Sequence, residues 1–225
     1  MILEYCNNKF DLRPTKIIAV ARNYRAHAEE MGSEIPEEPK LFLKPPSSLI
    51  GDGGTVILPK ISKRVDYEVE LAIIAKDRMH KVSAEESKNH ILGYTVVVDV
   101  TARDIQNEAK KQGMPWTIAK GYDTFAPVGP SIVAADKINP DNLNIWLKVN
   151  GIIKQKGNTK DMIFSIGELV SYISKIMTIE PMDIIATGTP EGIGPMSDGD
   201  FIEAEIEGIG VLKFKVEVEK DLKNL

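Results

Sequence analysis

Apolar and polar positions alternate with a period of two over much of this chain, and that period predicts strands. In VDYEVELAIIA (65–75), Val65, Tyr67, Val69, Leu71 and Ile73 fall on one face, and Asp66, Glu68 and Glu70 on the other. Further strands are expected as two short runs in 1–20 around Arg13-Pro14, and at 41–45, 51–59, 93–99, 144–149, 182–188, 200–208 and 211–218. Asn150-Gly151 predicts a two-residue hairpin turn into IIKQ, and the last two strands read as a second hairpin. Helical signals are short: 21–32 closed by Gly32, 83–90, and 101–113 ended by Gly113. A capping box at Ser165–Glu168 opens another helix, with Ile166, Leu169, Val170, Ile173, Ile176 and Met177 at core-facing spacing. Strands outnumber helices, no repeat or linker divides the chain, and the strand–helix alternation of a doubly wound sheet is absent. The expectation is one domain over residues 1–225, mainly β with short helices (α+β).

Composition narrows the function classes. The 225 residues are 43% hydrophobic and 27% charged, with net charge −5 and pI near 5.4. No basic block invites nucleic acid, and an acidic balance argues against anionic membranes. No apolar run reaches the ~18–20 residues of a span, and Glu4 interrupts any signal-peptide pattern at the N-terminus. Cys6 is the one cysteine, read as structural, so no internal disulfide forms. A cytoplasmic location is expected.

Candidate chemistry begins with three carboxylates. Glu68 and Glu70 share a strand face, and Asp99 ends the apolar run Val96-Val97-Val98. Three oxygen donors without Cys or His describe a site for Mg2+, Mn2+ or Ca2+ rather than zinc. A solvated outer sheet face explains the two glutamates equally well, and the residues alone leave both readings open. His27 and Glu30, three apart on the first helix, share a face. They form either a carboxylate-oriented base or an ordinary surface pair, and spacing alone favours the surface pair. Lys120 in PWTIAKGYD could stabilise an oxyanion or enolate, or be one more surface lysine. Arg22, Lys44 and Arg103 bind substrate carboxylates or are plain surface charge. ATGTPEGIG (186–194) lacks the phosphate-loop pattern; it reads as a strand end bringing backbone N–H groups and the Thr189 hydroxyl towards a small ligand, or as a tight turn.

Taken together, ARNYRAHAEEMG, PKLFLKP, VDYEVELA, GYTVVVDVTARDIQ, PWTIAKGYDTFAPVGP, LKVNG, MIFSI and DIIATGTPEGIGPM resemble the fumarylacetoacetate hydrolase family. The resemblance runs over residues 16–218, with ARNY where many members have GRNY. It implies a mixed β-roll or β-sandwich of that family's catalytic-domain type, in its short single-domain subgroup, and a homodimer. It implies Mg2+ or Mn2+ on Glu68, Glu70 and Asp99. It further implies a His27–Glu30 dyad on a lid at 22–38, Lys120 supporting an enolate, and substrate contacts from Arg22, Lys44, Arg103, Gln106 and Thr189. The implied substrate is a small 2-oxo acid. Hydrolysis of an acylpyruvate or fumarylpyruvate ranks first, because the dyad is present. Oxaloacetate decarboxylation or 2-hydroxyhepta-2,4-diene-1,7-dioate isomerisation follows; a non-catalytic metal- or 2-oxo-acid-binding protein ranks below these, and a structural interaction protein last.

Overall fold

The alternation at residues 65–75 divides as predicted, yet both of its faces are buried. In the computed structural model, which describes residues 1–32 and 34–220, Val65, Tyr67, Val69, Leu71 and Ile73 enter the main core. On the opposite face Ala72 and Ile74 pack in a second core with Ile17, Ala19, Ile184 and Ala186. Asp66, Glu68 and Glu70 continue that second face and are themselves buried, which rules out the solvated outer face.

The strand Val69–Ala75 sits inside an eight-stranded sheet. Its order is Asn8–Asp11, Ile2–Tyr5, Ser131–Ala134, Ile91–Val98, Val69–Ala75, Ile184–Ala186, Ile17–Ala21 and Lys40–Lys44. A five-stranded sheet, Ile152–Asn158, Asn144–Val149, Phe201–Ile206, Gly210–Val218 and Thr55–Leu58, covers one face. Ile145, Leu147, Ile202, Leu212 and Phe214 meet Leu71, Ile73, Val96 and Val98 across the main core. Neither sheet closes on itself, so the fold is a mainly β α+β sandwich with a few short helices. None of the described helices is long and apolar enough to cross a membrane.

The helices are α1 (Arg25–Glu30), α2 (Arg103–Gln112), α3 (Thr117–Lys120) and α4 (Ile166–Ile176). Gly113 closes α2 in the left-handed region at φ 66°, and the Ser165–Glu168 capping box opens α4. Four expectations change. Residues 1–21 hold three strands, because Cys6 (φ 49°) and Asn7 (φ 61°) already turn the chain before Arg13-Pro14; Cys6 is exposed at that turn. The first helix is shorter than 21–32, since Ala21 ends a strand and Arg22 takes φ 61°. Residues 86–90 form only a 3-10 turn. Ile176, the last residue of α4, is exposed, because the buried side of α4 also takes in Gly167, Ser171 and Ser174 and so centres near Val170, about 120° from Ile176 at 100° per residue.

The break at Glu68 positions the site. Val65–Tyr67 leaves the large sheet to pair with Thr101–Ala102 and Gly194–Pro195. The neighbouring strand leaves at the same level, between Val98 and Thr101, and the Asp99 N–H donates to the Glu68 carbonyl at 2.8 Å. Glu68 and Asp99 thus stand side by side where two paired strands change sheets.

Candidate active site

Ligand oxygens of Glu68, Glu70 and Asp99 lie within 4.8 Å of one another, and all three residues are buried. Like charges this close in a low-dielectric setting need counter-ions. Asp99 has two: Lys44 Nζ donates to Oδ1 at 2.7 Å and Lys120 Nζ to Oδ2 at 2.5 Å. Glu68 also has two, Lys120 Nζ at 3.0 Å and a short bond from the Arg103 guanidinium. Burial pushes the Glu68 carboxyl up, but Lys120 and Arg103 together outweigh it and hold Glu68 well below the usual carboxylate range. Lys120 is raised in turn: burial opposes its charge, and Asp99 and Glu68 overcome that opposition. It lies 4.8 Å from the Phe42 ring centroid and donates to Thr101 Oγ1 at 2.6 Å.

Glu70 is different. Among the described residues its carboxylate has no cationic partner and accepts only from the Gly188 N–H, at 2.8 Å. Burial first, then Asp99 and Glu68, push it well above its ordinary value. A buried cluster of three oxygen donors, one lacking a counter-charge, fits a hard divalent cation.

These groups line a small, partly open cavity, together with Arg22, His27, Gln106, Lys110, Trp116 and Thr189. His27 is buried on α1, and its Nδ1 donates to Glu30 Oε2 at 3.1 Å. That bond orients the ring with Nε2 free to exchange a proton. Glu30 Oε1 accepts from the Gly192 N–H at 3.0 Å. Two backbone donors of the Gly-rich loop, at Gly188 and Gly192, thus serve Glu70 and Glu30. Glycine is required there: at Gly188 (φ 99°) a Cβ would lie 2.7 Å from Asn23 Cβ, and at Gly192 (φ 91°) 2.3 Å from the Lys154 carbonyl.

Ten of the eleven residues singled out from sequence cluster around this cavity, with Glu30 immediately behind His27. Lys44 lies behind Asp99, outside the lining, where it also donates to the Val100 carbonyl at 3.1 Å. Arg103 is held by Asp66 at 2.8 Å and by Glu68, and donates to Gln106 Oε1 at 2.6 Å. Thr189 Oγ1 donates to the Val69 carbonyl at 2.8 Å and accepts from Gln155 Nε2 at 2.8 Å.

With this geometry in view, the comparison with known proteins is decisive. The family profile described as Fumarylacetoacetate (FAA) hydrolase C-terminal matches residues 16–217. The chain belongs to the fumarylacetoacetate hydrolase family. The mitochondrial oxaloacetate tautomerase FAHD1 of Arabidopsis thaliana is 48% identical over 203 residues, covering 90% of this chain and 91% of the relative. A fumarylpyruvate hydrolase from Pseudomonas aeruginosa, solved in complex with Mn2+ and pyruvate, superposes with TM-score 0.89 at 33% identity, covering 96% and 94% of the two chains. A 5-carboxymethyl-2-hydroxymuconate delta-isomerase from Mycobacterium smegmatis gives TM-score 0.84 at 43% identity over 92% of this chain and 80% of the other.

Several supporting residues of this family member escape sequence reasoning. Asp66 was grouped with the acidic face, but it anchors Arg103 and Arg64, each at 2.8 Å. Asn23 ties the start of α1 to the Gly-rich loop: its Nδ2 donates to the Thr187 carbonyl at 2.8 Å, and its Oδ1 accepts from the Phe164 N–H at 2.8 Å. Gln155 accepts from the Val69 N–H at 3.0 Å and donates to Thr189 and Pro190. Nothing in the spacing marks it, since Ile153, two positions earlier on the same strand, is exposed.

Proposed function

We propose that the protein is a divalent-metal-dependent enzyme that converts small 2-oxo acids through their enol or enolate form. The observation that supports this most is the convergence of three buried carboxylates, the Lys120 ammonium and the His27–Glu30 dyad on one small cavity. Glu68, Glu70 and Asp99 would hold Mg2+ or Mn2+, with Ca2+ also chemically suited, and the ion would polarise the oxygens of a bound 2-oxo acid.

Lys120 stays charged and places positive charge where an enolate oxygen develops. His27 Nε2, oriented through Nδ1 by Glu30, takes or returns a proton at the carbon next to the keto group. Reversible transfer at that carbon is keto–enol tautomerisation, and the 48% identity to a protein named oxaloacetate tautomerase favours this first reading. Hydrolysis of an acylpyruvate, ranked first from the motifs, is the second reading. There the same His27 Nε2 would deprotonate a water, the hydroxide would add to the distal acyl carbon, and the C–C bond would break towards the enolate. The fumarylpyruvate hydrolase likeness favours that version. A homodimer in the cytoplasm completes the proposal, the dimer from the family resemblance and the location from the absence of any possible internal disulfide.

The test is a panel with and without EDTA and added Mg2+. It follows enol-oxaloacetate loss at its ultraviolet absorbance, and pyruvate release from acetylpyruvate, fumarylpyruvate and oxaloacetate. Mg2+-dependent acceleration of the enol–keto exchange is expected. Pyruvate release from acylpyruvates without it would reverse the ranking, and no Mg2+-dependent turnover of any substrate would refute the proposal.

A further inference from the structure

Helix α2 presents Arg103, Gln106 and Lys110 at i, i+3 and i+7, one face by helical spacing. All three line the cavity. Arg103 is consumed by Asp66, Glu68 and Gln106. Lys110 is not consumed. Its ammonium lies 5.3 Å from the Trp116 ring centroid, and no carboxylate pairs with it among the described residues. A lysine in a last helical turn commonly serves only the helix dipole. Lys111, exposed beside Glu108, suffices for that role here, whereas Lys110 folds back, half-buried, over Trp116 into the cavity.

Arg22 is the second cation of this kind. It lines the same cavity, half-buried, with no ion pair among the described residues. Its backbone is held at φ 61°, a region non-glycine residues rarely adopt. Burial, and then the nearby Arg103 and Arg22, bring the Lys110 ammonium down to about 8. Holding two unmatched cations together is costly unless an anion joins them. The lining as a whole carries four Lys and Arg side chains against three carboxylates. A divalent ion would widen that excess to three positive charges, more than the single carboxylate of a monoanionic 2-oxo acid would balance.

We infer that Lys110, with Arg22, forms a second anion subsite that binds the carboxylate at the far end of the substrate, so that the enzyme selects 2-oxo dicarboxylates over 2-oxo monocarboxylates. Lys110 is thereby a specificity-determining residue. The inference rests on the 2-oxo-acid reading above and names the substrate class within it.

The test separates the two. Mg2+-loaded protein is titrated calorimetrically with 2-oxoglutarate and with 2-oxovalerate, which differ at the far end by carboxylate against methyl. Wild type is expected to bind 2-oxoglutarate roughly 10- to 100-fold more tightly, the usual range for a charge-assisted hydrogen bond. Lys110→Met keeps an apolar stem on Trp116 and should shrink that preference to within about threefold, acting on 2-oxoglutarate. Lys110→Arg should retain most of it. Thermal melts check folding, and Lys110→Gln replaces the Met variant if that one melts early. Equal wild-type binding of both acids, or a preference that survives Lys110→Met and Lys110→Gln, overturns the inference alone. Binding of neither acid overturns the 2-oxo-acid reading and the inference with it.

Discussion

Glu70 gives the sharpest quantitative test of the site. Without a cation its carboxyl is buried, faces Asp99 and Glu68, and is held above its ordinary value. In the unfolded chain it titrates near ~4.3. Because the folded-state value is raised, its contribution to stability is complete below the unfolded value and is lost as pH rises towards the folded one. Between these limits the folded protein holds one more proton than the unfolded chain. Stability of metal-free protein therefore falls by about 1.4 kcal/mol per pH unit from this group. For a domain of this size that is a drop in Tm of about 3–6 °C per unit.

Among the other shifted groups, Lys44, lowered chiefly by burial, acts with the opposite sign to Glu70 and does so in wild type and Glu70→Gln alike, so the comparison of the two proteins isolates Glu70. Glu68 and Asp104 are lowered, so the stability they add is present above their unfolded values and is lost only at more acid pH. Lys110 acts with the opposite sign, and only above about 8. The assay is a series of melts in EDTA across pH 5.5–7, for wild type and Glu70→Gln. The wild-type slope should be more negative than the variant's by the Glu70 amount. A divalent cation must displace the Glu70 proton on binding. Mg2+ or Mn2+ titrations in buffers of different ionisation enthalpy should accordingly show net proton release near pH 6 that is lost in Glu70→Gln. Equal slopes in the two proteins, together with no proton release, would refute the picture of Glu70 as the unmatched carboxylate.

The remaining predictions concern the machinery around it. His27→Ala should lower acylpyruvate hydrolysis by ~10²–10⁴-fold, the usual worth of a general base, and Lys120→Ala should impair every enolate-forming turnover. Hydrolysis within a few-fold of wild type in His27→Ala would remove the dyad from that role. Residues 22–38 should exchange amide hydrogens more slowly when oxalate binds with Mg2+, because α1 is only six residues long and is tied down at Asn23 and Glu30; unchanged protection at saturating oxalate would dismiss a lid. Sedimentation at micromolar concentration should give about twice the 24.9 kDa chain mass, and a single monomeric species would exclude the dimer.

What the sequence revealed was mostly periodic. The two-residue alternation assigned Val65, Tyr67, Val69, Leu71 and Ile73 to the core correctly, since that period is a local property of the backbone. It could not tell whether the acidic phase met water or protein. That answer depends on where the paired strands change sheets, at Glu68 and Asp99, a contact across thirty-one positions. Asn150-Gly151 and Gly113 were readable for a similar reason, because left-handed backbone there is a local demand. Arg22 sits at φ 61° without being glycine, so composition gave no warning that the first helix would start late. The motifs placed most of the site, but not its wiring. Lys44 and Arg103 emerged as counter-ions to Asp99, Asp66 and Glu68, and charge pairing between distant segments leaves no mark in spacing.

That wiring divides the positive charges of the site into two groups. Lys44, Lys120 and Arg103 are bound to carboxylates, so they cancel charge already present and hold the ligand atoms of Glu68 and Asp99 in place. Removing one of them leaves a buried carboxylate with a single remaining cation, which is destabilising, by less than the about 3–5 kcal/mol of breaking a lone buried pair. Substitutions at these three positions should therefore damage folding and activity together. Lys110 and Arg22 are bound to no carboxylate among the described residues, so their removal exposes no counter-charge. A site in which some cations are needed by the fold and others are left unmatched by it has placed the second group for a ligand. The two unmatched cations and the one unmatched carboxylate, Glu70, are the positions where the protein alone is electrically incomplete, and they mark where an anionic substrate and a metal ion would complete it.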